Sequence, residues 1–135
     1  MTRKWILPLT YAPKIPAVLD GRCTQTIRPG RKFRARDLIM FHGWEGRPYR
    51  SKWSFRTPYW ELHMAWPILI LPGGIVTSGD LNKWPGLACT GLSERDGIDP
   101  PTGEELGRVL LSMHKIPPEG LEAQIIRWRY AEEGL

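Results

Sequence analysis

Across Gly21 the chain changes its hydrophobic period, from helical to alternating. Lys14 to Asp20 carries Ile15, Val18 and Leu19 at helical spacing, with Pro16 tolerable in the first turn. Gly21 is a natural stop, because without a Cβ it can adopt the left-handed backbone that ends a helix. The following residues alternate as a strand does. Thr24, Thr26 and Arg28 point to one face, and Cys23, Gln25 and Ile27 to the other. A helix end therefore abuts a strand face with two hydroxyls and a guanidinium, a polar cradle suited to a base, a sugar or a phosphate.

Elsewhere the pattern predicts more strands than helices. Thr2 to Tyr11 reads as a first strand with Trp5, Leu7 and Leu9 on one face. Asp37 to Gly43 reads as another, and Tyr59 to Leu71 as the longest, with Trp60 and Trp66 in the core. Pro72-Gly73-Gly74 turns that strand so that Ile75 to Ser78 can resume pairing. Gly46 to Pro58 reads as a loop, and Asp80 to Asp96 as irregular or partly helical. Thr102 with Glu105 three residues on is a capping box, and Leu106, Val109, Leu110 and Met113 follow at helical spacing. Leu121 to Tyr130 alternates, with Ile126, Trp128 and Tyr130 facing in and Arg127 and Arg129 facing out. Short strands interrupted by a few helices predict an α+β fold: a small mixed β-barrel with short helices packed at its ends.

The 135 residues suit a single domain, 1–135, with enough chain to bury a core without disulfides or metal. Two cysteines, Cys23 and Cys89, make neither a disulfide framework nor a zinc site. The longest apolar stretch is far short of the ~20 residues of a membrane helix. The expectation is a soluble, cytoplasmic protein with no membrane partner.

The net charge of +5 conceals an asymmetry. Residues 1–60 hold 13 Lys/Arg against 3 Asp/Glu, a balance of +10, and the remainder carries −5. Trp44, Tyr49, Trp53, Phe55, Tyr59 and Trp60 fall in or beside the basic segment. Cations neutralise phosphates while rings stack on unpaired bases, each stack worth roughly 1–3 kcal/mol. The partner this implies is a nucleic acid.

Several stretches, taken in order, resemble an ASCH domain, a small β-barrel related to PUA folds. They are Gly21-Arg22-Cys23-Thr24-Gln25-Thr26-Ile27-Arg28, Asp37 opening Leu38-Ile39-Met40-Phe41, Asp96-Gly97-Ile98 before the capped helix, and Ile125-Ile126-Arg127-Trp128 near the end. The resemblance covers nearly the whole chain and favours RNA as the nucleic acid. Two positions depart from the pattern: its Lys after Gly-Arg is Cys23 here, and its Gly before the strand Asp is Arg36. One bacterial branch resembles an amidohydrolase that removes the acyl group from acetylated cytidine, and other relatives resemble ribonucleases. The branch's Lys, second Thr and downstream carboxylate fall here on Cys23, Thr26 and Asp96, the candidate catalytic set.

The candidate binding set is Lys14, Arg22, Thr24 and Arg28 around the motif, with Arg47, Tyr49, Arg50, Lys52 and Trp53 in the Gly46 to Arg56 loop. Arg28 can present a planar fork to a phosphate or base edge, or ion-pair with Asp37. In a hydrolytic site Arg28 or Lys14 would stabilise charge. Cys23 is either an inert small residue or a nucleophile, and sequence puts none of His42, His63 and His114 beside it. Asp96 is either an acid/base group or the polar opening of the Gly97 turn. The histidines lack metal-ligand spacing, so neither metal nor cofactor is expected.

Overall fold

The computed structural model describes residues 3–30, 32–44, 53–73, 75–78, 98 and 103–131. In chain order the elements are β1 (Lys4–Pro8), α1 (Lys14–Leu19), β2 (Gln25–Pro29), β3 (Leu38–Trp44), β4 (Trp53–Arg56), β5 (Trp60–Leu71), β6 (Ile75–Ser78), α2 (Gly103–Met113) and β7 (Leu121–Trp128). The fold is α+β, built on one mixed sheet with two described helices. The sheet runs β1-β3-β5-β7-β2, with β4 added to β3 and β6 to β5. Only β1 and β3 are parallel. Their connection holds both α1 and β2, a crossover of the length that parallel pairing requires.

β1 and β2 are the two ends of that path, and no hydrogen-bonded ladder joins them among the described residues. The sheet is thus curved around an open seam, and the closed barrel expected from the strand count is not what the described ladders form. α1 links β1 to β2 across this seam, so the helix–Gly21–strand unit lies where the sheet's two ends approach.

Two apolar clusters sandwich the sheet. One gathers Leu7, Val18, Phe41, Trp60, Ile126 and Trp128, and the other gathers Ile27, Ile70, Leu106, Val109, Leu110 and Ile125 around α2. Neighbours Ile125 and Ile126 serve opposite clusters, so β7 is covered on both faces rather than alternating between core and solvent. The indoles of Trp60 and Trp128 stack with centroids 6.2 Å apart and planes 3° from parallel.

Five local expectations change. Trp53 to Arg56, predicted as loop, is β4. Its Phe55 ring lies where a Cβ on Gly43 would stand, 2.3 Å from Phe55 Cε1, so this glycine lets the strands close. Trp66 is 44% exposed, and a bulge between Leu62 and Met64 moves it off the face of Trp60 and Leu62. Leu19 and Tyr130 are exposed rather than inward. Tyr130 instead covers the helix end: a Cβ on Gly21, whose φ is +84°, would lie 2.7 Å from that ring. Met113 likewise ends α2 exposed.

Candidate functional site

α1 is short, and its most buried members are Lys14 and Val18. The aliphatic stem lets Lys14 lie along apolar surface while its ammonium reaches a polar partner. That partner is Thr26: Nζ donates to Oγ1 at 2.9 Å, and both residues are 4% exposed. Thr26 sits mid-strand in β2, with Arg28 two residues on and so on the same face. The Arg28 guanidinium donates to the Pro8 carbonyl at 2.7 Å, bridging β2 to β1 across the open seam. It also lies 5.7 Å from the Phe41 ring centroid.

Between these groups is a cavity of about 240 Å³. Its polar lining includes Tyr11, Lys14, Thr26, Arg28 and His114, and its apolar walls include Leu9, Phe33, Ile98 and Leu106. The described lining holds no carboxylate. Burial, then the Arg28 charge, pulls the pKa of His114 below the ordinary imidazole value, and the same two causes act on His42 of β3. The Arg28 guanidinium and the Lys14 ammonium, with the His114 imidazole and the Thr26 hydroxyl, make a positive chamber with hydrogen-bonding walls.

Of the expected catalytic set, Thr26 lies in the cavity wall. Cys23 does not: it is packed in the core and its thiol donates to the Gln25 carbonyl at 3.3 Å. Asp96 lies outside the described residues, although Ile98 lines the cavity. Of the binding set, Lys14 and Arg28 line the cavity. Arg22 pairs with Asp20 at 2.7 Å on the surface, and Thr24 is half-buried, its carbonyl accepting from the Trp128 N–H. Arg47, Tyr49, Arg50 and Lys52 lie outside the described residues, and of Trp53 only the backbone in β4 is described.

Asp37 is not the partner of Arg28. It accepts from the Arg3 guanidinium and the Trp5 indole, both at 2.9 Å, and from the Arg34 amide at 3.0 Å. Sequence reasoning missed Tyr11 and His114, which end β1's extension and α2. Only packing brings them to β2, and neither carries a local motif. No group of three or more His, Cys, Asp or Glu converges on a metal position among the described residues.

No family model matches this chain. No curated protein and no solved structure matches it either. Among the described residues, no helix is long and apolar enough to cross a membrane.

Proposed function

We propose that this chain is an ASCH-type, PUA-like domain that binds RNA, or another single-stranded nucleic acid, by drawing one unpaired or modified nucleotide into the cavity at the seam. The observation that carries this reading is the buried Lys14–Thr26 pair in the wall of a cavity of about 240 Å³, beside Arg28. That volume is below the ~300–1,000 Å³ of drug-sized pockets, a scale for one base with its sugar and not for a folded strand. The hydroxyl and ammonium can read a base edge, while Arg28 can meet a phosphate or a carbonyl. Arg36 adds support: its φ of +75° is the conformation glycine adopts most easily, and glycine is what the ASCH pattern has there. Binding of short single-stranded RNA, followed by fluorescence anisotropy, should weaken steeply with salt and with Thr26→Val or Arg28→Ala. Affinity indifferent to both salt and these substitutions would overturn it.

A second reading is a hydrolase on the same cavity, acting on an acetylated cytidine nucleoside or on RNA. The Lys14 ammonium favours it, because α1 supplies beside Thr26 the cation that the motif loses at Cys23. Thr26 would orient the scissile group, and Lys14 would stabilise charge developing on its oxygen. Incubation with acetylated cytidine and with single-stranded RNA tests this. Turnover that survives both Thr26→Ala and Lys14→Met would rule it out.

A further inference from the structure

The loop from β2 to β3 carries Lys32, Arg34 and Arg36, all exposed, and the backbone of residues 32–34 is held from several sides. Gln124 of β7 clamps Phe33 at both ends of its peptide: the Phe33 N–H donates to Oε1 at 2.8 Å, and Nε2 donates to the Phe33 carbonyl at 3.0 Å. The Arg3 guanidinium donates to the Lys32 carbonyl at 2.6 Å, and Asp37 accepts the Arg34 amide. Residues 32–34 held in this way present their side chains from a set backbone, which lowers the ordering cost of binding.

The loop borders a second depression of about 590 Å³, lined by Lys32, Phe33, Arg34, Pro67, Leu69 and Gln124 among others. Phe33 lines this depression and the cavity alike, so the two adjoin at this residue. Lys32 and Arg34 make no side-chain ion pair among the described residues, and Glu122 is the single carboxylate in the described lining. Two cations over an apolar floor, contiguous with a base-sized cavity, match a chain of phosphates and sugars continuing from that cavity.

We infer that the β2–β3 loop is the track for the phosphodiester segment adjoining the nucleotide in the cavity, with Lys32 and Arg34 as its phosphate contacts. The inference rests on the nucleic-acid reading above and adds residues that reading does not use. The test compares cytidine 5′-monophosphate with a six-nucleotide cytidine RNA, titrated by calorimetry over a salt series. The hexamer should bind wild type more tightly than the monophosphate. Lys32→Gln/Arg34→Gln should weaken the hexamer several-fold, flatten its log–log salt slope by about 1.4 (roughly 0.7 for each lost contact to a single strand) and leave the monophosphate unchanged. The single variants should each show about half that change in slope. A hexamer no tighter than the monophosphate, or a double variant with unaltered slope, would overturn the track and spare the cavity. Failure of both ligands to bind would remove the nucleic-acid reading itself, and the track with it.

Discussion

The ammonium of Lys14 and the hydroxyl of Thr26 are hydrogen-bonded at 2.9 Å inside the protein, one from a short helix and the other from the strand that follows it. A buried ammonium is expensive to desolvate, and replacing it with an apolar group of similar length is often neutral or stabilising. Lys14→Met should therefore hold or raise the melting temperature while ligand affinity falls. Thr26→Val should do the reverse to stability. It removes an acceptor from a charged donor, at a cost of about 1–3 kcal/mol by denaturant titration. A loss of stability in Lys14→Met equal to that in Thr26→Val would mark the pair as structural only.

Asp37 gives the fold an acid-sensitive joint. Burial pushes its carboxyl up, but hydrogen bonds from Trp5, the Arg34 amide and Arg3 outweigh that and hold the pKa below the ordinary carboxylate value. Since the folded state binds this proton less tightly than the unfolded chain, the contribution is complete above about pH 4 and is lost as pH falls below it. Asp37→Asn should lower stability at pH 7 by roughly 1–3 kcal/mol and flatten the acid limb of a pH–stability profile. An unchanged acid limb would show that other carboxylates govern it.

The switch at Gly21, the extent of β5 and the α2 stripe of Leu106, Val109 and Leu110 were legible because local periodicity fixes them. The two-sided burial of β7 was not. Alternation marks one buried face, whereas Ala123 and Ile125 are covered by a helix that no local pattern places there. Thr26 and Arg28 could be picked out from one strand face. The Lys14 contact needed the α1–β2 packing, and the β4 pairing needed Gly43 beneath Phe55. Trp66 shows the same limit, since a single bulge reverses which face of β5 it joins.

His42 and His114 should both titrate below the ordinary imidazole value of about 6.5, visible in ring-proton NMR shifts against pH. Burial is the larger cause at each and the Arg28 charge the second, so Arg28→Gln should raise both midpoints without bringing them fully to 6.5. Both histidines favour the folded state above pH 6.5, and their contribution declines as pH falls below it, because the unfolded chain then takes up the protons. If Arg28→Gln moves neither midpoint, the guanidinium does not set the field of the cavity.

Arg36 occupies a backbone conformation its side chain does not favour. It is the one non-glycine residue with positive φ among those described, at +75°. The geometry is used: the Arg36 N–H donates to the Leu62 carbonyl at 2.7 Å, and the Leu62 N–H donates to the Asp37 carbonyl at 2.8 Å, which joins the loop to β5. For an L residue the left-handed region costs roughly 1–2 kcal/mol, and glycine escapes most of that. Glycine also gains freedom in the unfolded chain, so Arg36→Gly should be stabilising by no more than about 1 kcal/mol. Arg36→Val keeps the same backbone bonds but adds a β-branch, and should be destabilising. Thermal melts of the two variants should therefore shift in opposite directions. A common shift would mean that the Arg36 side chain, and not its backbone, determines stability at this turn.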